Sequence, residues 1–157
     1  MSLKINDKAP NFTLASTDGT DFTLNIDAAG KPCIIYFYPK DFTGVCTAEA
    51  CEFRDTFSHF RNLNIDIYGI SRDDIPTHQL FKKAHNLPFD LLADTDGKVA
   101  AAYGATVPII KFTRRITFLL DPRHRIAAIY ENLFSAGKHI EEMVQKVKTH
   151  NADWKQW

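Results

Sequence analysis

Residues 33–38 read Cys-Ile-Ile-Tyr-Phe-Tyr, six apolar or aromatic side chains with no charge among them. A strand of that composition has no face to offer water, so it must run through the middle of a sheet covered on both sides. Lys31-Pro32 leads into it and Pro39 follows it. From Thr43 to about Leu63 the apolar period lengthens: Ala50, Phe53, Phe57 and Phe60 recur at threes and fours, as an amphipathic helix requires. Residues 65–71 (IDIYGIS) give the next buried strand. A second helix follows, capped by Thr77, with Leu80, Phe81 and Ala84 turned inward. Residues 87–94 (LPFDLLAD) read as extended and reach a turn at Asp96-Gly97.

On either side of this strand-helix-strand-helix unit the pattern is antiparallel. Phe12-Thr13-Leu14 and Phe22-Thr23-Leu24 alternate about Asp18-Gly19, the signature of a hairpin. ITFLLD and IAAIYE flank Pro122-Arg123-His124-Arg125, a hairpin whose turn lacks glycine. Residues 136–150 close with an amphipathic helix carrying Ile140, Met143, Val144 and Val147. The order implies an α/β fold: a thioredoxin-like sandwich, its central part parallel, with an added N-terminal β-hairpin. No linker or repeat interrupts the 157 residues, which are expected to form one domain spanning 1–157. A chain of that length can bury roughly 70% of the surface its unfolded form exposes.

Nineteen basic side chains balance nineteen acidic ones. That balance gives no electrostatic case for nucleic acid or an anionic membrane. No apolar run approaches a membrane span, and the first dozen residues lack the core of a signal peptide, so a cytoplasmic protein is expected. Three cysteines, an odd number, argue against a secreted disulfide framework. In a reducing compartment a cysteine is a buried apolar residue, a metal ligand or a catalyst. Cys33, opening the central strand, reads as the first of these. None of the six histidines is spaced with the cysteines as zinc ligands are, and His59, the nearest, reads as a surface residue.

The corner between the first buried strand and its helix, Pro39-Lys40-Asp41-Phe42-Thr43-Gly44-Val45-Cys46, is where open α/β sheets gather their chemistry. A cysteine in a helix's first turn faces unpaired backbone N–H groups and the positive end of the helix dipole, which favour thiolate over thiol. Cys46 is so placed. Taken singly, Thr43 reads as a helix cap and Arg115 as a solvated strand charge like its neighbour Arg114.

Pro39-x-x-x-Thr43-x-x-Cys46 resembles the active-site signature of the peroxiredoxins. The likeness continues through Tyr36-Phe37-Tyr38-Pro39-Lys40-Asp41 and Cys46-Thr47-x-Glu49-x-Cys51-x-Phe53-Arg54-Asp55, a pattern similar to the Q-type branch, or bacterioferritin comigratory protein. Gly69-Ile70-Ser71, Leu87-Pro88-Phe89, Ala102-Tyr103-Gly104 and Arg115-x-Thr117-Phe118-Leu119 extend it over most of the chain. Gly44-Val45 departs from the branch, where Pro-Gly is commoner, and the segment between Gly104 and Arg115 is short beside some relatives.

The resemblance implies a thiol peroxidase of antioxidant defence that reduces hydrogen peroxide and organic hydroperoxides to water and alcohols. It implies Cys46 as the peroxidatic cysteine, Cys51 as the resolving one, and Thr43 and Arg115 beside the sulfur, with Pro39 walling the pocket. Glu49, one turn after Cys46, is expected to orient Arg115. Thioredoxin, or alternatively glutaredoxin, would reduce the resulting disulfide, with no flavin, haem or metal cofactor, in a monomer or weak homodimer. A thiol–disulfide oxidoreductase would need Cys-x-x-Cys at this corner, and the sequence has Cys-x4-Cys.

Two magnitudes sharpen these expectations. An ordinary thiol of pKa ~8.5 is roughly 3% thiolate at pH 7, so full ionisation gains at most about 30-fold, or ~2 kcal/mol. Any further acceleration must come from groups that bind the stretched O–O bond. Residues five apart in one unbroken helix have Cα atoms roughly 8.7 Å apart. A disulfide needs about 4.4–6.8 Å. A Cys46–Cys51 bond therefore requires the helix to unwind locally.

Overall fold

A computed structural model describes residues 3–109, 112–131, 141–143 and 145–149. Strand β1 (Thr13–Ser16) and β2 (Asp21–Thr23) form the N-terminal hairpin, Leu14 facing Phe22 across it. Leu24, expected to prolong the second strand, instead starts a single helical turn, α1 (Leu24–Asp27). Then come β3 (Cys33–Phe37), α2 (Gly44–Asn62), β4 (Asp66–Ser71), α3 (Ile75–Ala84) and β5 (Asp90–Ala93). A short α4 (Lys98–Ala102) and a two-stranded ribbon, β6 (Thr106–Val107) and β7 (Phe112–Thr113), precede the last hairpin, β8 (Ile116–Leu120) and β9 (Ile126–Glu131). The sequence periodicity had no room for these three small elements, which are too short to show one.

Seven strands make one sheet in the order β2-β1-β5-β4-β3-β8-β9. The β3–β4 and β4–β5 pairs are parallel, as strand-helix-strand connections demand, and β8 lies antiparallel on the other side of β3. The added hairpin extends the far edge by pairing β1 antiparallel to β5. This is the thioredoxin-like α/β arrangement expected from the order of elements.

All five residues of β3 are fully buried. Cys33, Ile35 and Phe37 face a layer with Phe22, Tyr103 and Phe118, while Ile34, Tyr36 and Tyr38 face α2 through Phe53 and Phe60. Phe53 stacks on Tyr36 with ring centroids 4.7 Å apart. Each such aromatic removed from water stabilises the layer by about 1.5–3 kcal/mol. That packing anchors the middle of α2, whose first turn lies at the edge of the layer.

Three local expectations need correction. Helix α3 is capped by Asp74, whose Oδ1 accepts from the Thr77 N–H at 2.9 Å; Thr77 lies inside the helix. Its inward residues are His78 and Phe81, with Leu80 64% exposed and Ala84 also outward. The helix is rolled because His78, not an apolar residue, fills the buried position. Arg115 belongs to no strand and sits immediately before β8.

The glycine-free turn between β8 and β9 is made by His124 at φ 61°, its Nε2 against the Ala28 carbonyl at 2.8 Å. A side chain that bonds back to the backbone offsets the cost of a left-handed residue. At the C-terminal end, residues 141–143 and 145–149 are helical, and Met143 and Val147 are fully buried against the α2 layer. Ile140 and Val144 of the expected helix lie outside the described residues.

Candidate active site

The corner is built by pinning the loop that leaves β3. Tyr38 continues the strand for one bond, its N–H on the Ile70 carbonyl at 3.1 Å. Asp41 is buried and fully engaged: its N–H donates to Asp73 Oδ2 at 2.8 Å, and its Oδ1 accepts from the Tyr38 hydroxyl at 2.5 Å. Asp41 Oδ2 meets Nδ1 of buried His78 at 2.6 Å, and His78 Nε2 meets the Leu92 carbonyl at 3.0 Å. Ser71 donates to Asp73 Oδ2 at 2.6 Å. Residues 39–41 are thereby tied to β4, α3 and β5 at once. Asp41, Asp73 and His78 bring their ligand atoms within 4.8 Å of one another, but these hydrogen bonds occupy the oxygens and nitrogen a cation would need.

After Asp41 the hold loosens. Phe42 is 53% exposed and sits at φ 65°, a left-handed conformation that strains a bulky side chain. Thr43 occupies the N-cap position of α2 without capping it; its hydroxyl donates to the Lys40 carbonyl at 2.8 Å. Gly44 opens the helix, and a Cβ there would meet nothing within 4 Å. Gly44-Val45 thus keeps the helix start open where the resembled pattern would place a helix-initiating proline.

Cys46 is the third residue of α2 and only 1% exposed. The first-turn N–H groups about it have no partner within the helix, which puts partial positive charge near its sulfur. From 69 residues away, Arg115 Nη1 reaches Cys46 Sγ at 3.3 Å and Glu49 Oε1 at 3.2 Å. Arg114 turns elsewhere, to Glu131 at 3.2 Å and the Gly104 carbonyl at 3.1 Å. Glu49 is fully buried, its Oε2 has no hydrogen-bond partner among the described residues, and burial pushes its carboxyl up to about 7 against the opposing pull of Arg115. To the extent that a carboxyl shifted in this way holds its proton, the guanidinium charge is left to the sulfur one helical turn away.

The structure thus brings Cys46, Arg115 and Glu49 into contact; half-buried Pro39 and exposed Thr43 lie in the loop that leads into α2, the Thr43 hydroxyl turned to the Lys40 carbonyl. Cys51 lies five residues beyond Cys46 in α2, half-buried, with its Sγ 4.0 Å from His85 Nδ1. Cys33 is buried in β3 between β4 and β8, and desolvation pushes its thiol far up. His59 is exposed near the end of α2. The sequence reading missed the Tyr38–Asp41–His78 lock and the neighbourhood of His85. Residues 78, 81 and 85 share one helical face, but which way that face turns is set by its long-range partners and not by a local pattern.

Comparison with known proteins agrees with this geometry. Residues 5–129 match the model of the AhpC/TSA family. A protein of Coxiella burnetii named as a peroxiredoxin of the bcp type is 40% identical over 153 residues, 94% of this chain and all of that one. The chloroplastic peroxiredoxin Q of Oryza sativa subsp. japonica is 40% identical over 138 residues, of which this chain spans 63% of the plant protein's length. Among solved structures, the peroxidoxin BcpB of Mycobacterium tuberculosis superposes with a TM-score of 0.87 at 27% identity, covering 94% of this chain and 97% of the other. A Xylella fastidiosa peroxiredoxin Q variant gives 0.85 at 28% identity, covering 96% and 98%. The chain belongs to the AhpC/TSA family and, within it, to the peroxiredoxin Q branch of thiol peroxidases.

Proposed function

We propose that Cys46 is the peroxidatic cysteine and Cys51 its resolving partner. The observation that carries this reading is the buried Cys46 sulfur at a helix start with Arg115 Nη1 at 3.3 Å. The Cys46 thiolate attacks one oxygen of a hydroperoxide; the O–O bond breaks, the sulfur becomes sulfenic acid, and the departing oxygen takes a proton to leave as water or alcohol. The Arg115 guanidinium holds both the thiolate and the negative charge that grows on oxygen. Thr43 exchanges its Lys40 carbonyl for the peroxide, and Pro39 limits the access of water. Glu49 fixes the guanidinium through its Oε1.

Cys51 then attacks the sulfenic sulfur, giving a Cys46–Cys51 disulfide and water. Both residues lie within α2, so the first turns must unwind to close the gap. The uncapped start, the open Gly44 and the strained Phe42 support low stability there. Beyond residue 51, Phe53 and Phe60 hold the rest of the helix to the sheet.

Thioredoxin is the proposed reductant, with glutaredoxin the alternative, and the cytoplasm the proposed compartment. No helix among the described residues is long and apolar enough to cross a membrane. A monomer or weak homodimer is the proposed assembly. One structural relative, the Xanthomonas campestris bacterioferritin comigratory protein, is described as having alkyl peroxide reduction activity, which supports organic hydroperoxides as substrates here. Turnover of hydrogen peroxide and an alkyl hydroperoxide, with thioredoxin and its reductase as the electron source, tests the reading. Cys46→Ser should abolish turnover, Cys51→Ser should leave a persistent sulfenic acid, and retention of full turnover by either variant would refute the assignment.

A further inference from the structure

Resolution needs a proton to leave Cys51, and the His85 ring lies within sulfur hydrogen-bond range of it, with the Arg54 guanidinium and the buried Tyr36 also near enough to interact. His85 Nδ1 is 4.0 Å from Cys51 Sγ, within range of a sulfur hydrogen bond and of the looser geometry resting sites show. The ring is held from several directions. It meets Phe81 edge to face, with centroids 5.0 Å apart, and Phe42 covers it at 6.4 Å. Its backbone caps α3, the N–H bonding to the Phe81 carbonyl at 3.2 Å. Arg54 Nη1, one turn beyond Cys51, donates to the His85 carbonyl at 2.9 Å.

That last bond places His85 on the part of the molecule that stays folded. Unwinding the first turns of α2 carries Phe42 and Cys46 away from their resting positions. Arg54 and α3 still hold His85 beside Cys51, and the departure of Phe42 uncovers the ring.

We infer that His85 is the proton acceptor that activates Cys51 in the resolving step. His85 Nδ1 takes the thiol proton as the Cys51 sulfur forms a bond to the Cys46 sulfur. The Cys46 S–O bond breaks, and the leaving hydroxide takes the proton back from His85 as water. The step consumes one sulfenic acid and one thiol and yields one disulfide and one water, with no outside oxidant. It rests on Cys51 being the resolving cysteine.

The test follows both chemical steps in single-turnover stopped flow, with mass spectrometry of the product, for wild type, His85→Gln and His85→Phe at pH 7. Both substitutions should slow disulfide formation about tenfold, inside the ~30-fold ceiling set by full ionisation of an ordinary thiol. Oxidation of Cys46, which His85 does not touch, should keep its rate, and added imidazole should restore resolution in His85→Gln. Disulfide formation at the wild-type rate in both variants would overturn the role of His85 alone. So would equal slowing of both steps without imidazole rescue, which marks a merely structural residue. Absence of a Cys46–Cys51 disulfide in the wild type would instead overturn the assignment of Cys51.

Discussion

Cys33 and Cys46 are shut off from water almost equally, at 0% and 1% exposure, yet their surroundings differ in kind. Cys33 packs into the apolar core of a central strand with Asp66 across the ladder, and desolvation, then the negative Asp66, push its thiol far above the ordinary range. Cys46 has the first turn of a helix behind it and a guanidinium at 3.3 Å. Burial by itself makes a thiol inert. Burial beside fixed positive charge, in a low-dielectric pocket where that charge acts at full strength, is what suits a sulfur to attack peroxide.

The comparison breaks most visibly if the sulfurs are removed one at a time. Cys46→Ser should lose all measurable peroxide turnover, whereas Cys33→Ala should keep it and lose only about 1 kcal/mol of stability in urea titration. Equal activity losses would mean that the environments do not separate the two thiols. Next in size is Arg115→Gln, which leaves Cys46 buried without its charge. A drop of about 100- to 1,000-fold in kcat/KM is expected, the scale for losing one fixed donor to a developing oxyanion. A drop below tenfold would shift the credit to the helix start.

Glu49 sharpens the comparison through pH. An unfolded glutamate titrates near 4.5, and the buried carboxyl near about 7. Between those values the folded state keeps a proton that the unfolded state has released, so stability falls as pH rises from ~4.5 to ~7 and levels off above. The full effect is ~3 kcal/mol. Denaturant titrations across that range should show the slope in wild type and its loss in Glu49→Gln. An identical slope in both would place the titration elsewhere. The smallest expected change is Gly44→Ala, which adds a methyl group in open space at the helix start. It should stabilise the protein by about 0.4–1 kcal/mol and slow disulfide formation about two- to fivefold. Faster disulfide formation would contradict an unwinding step.

How far the sequence could be read follows from the range of each signal. The uninterrupted apolar run at 33–38 and the three-and-four spacing of Ala50, Phe53, Phe57 and Phe60 both report burial on a known period, and β3 and α2 appeared where expected. Helix α3 failed at the level of facing, since an apolar pattern cannot anticipate that His78 would be turned in to meet Asp41 and a backbone carbonyl. The approach of Arg115 to Cys46 spans 69 residues, beyond the reach of any local pattern. Family resemblance supplied it. The Cys51–His85 contact had neither help: it depends on how α2 and α3 lie side by side, which only the packed structure fixes.

Two thiols five residues apart on one helix can be joined only if that helix lets go. Wild-type protein treated with one equivalent of hydroperoxide should be examined by peptide mass mapping and far-ultraviolet circular dichroism on the same sample. An intramolecular Cys46–Cys51 disulfide is expected together with a loss of helical signal that thioredoxin reverses. A stable Cys46 sulfenic acid, a bridge between two chains, or a Cys46–Cys51 disulfide with the helical signal intact would contradict it.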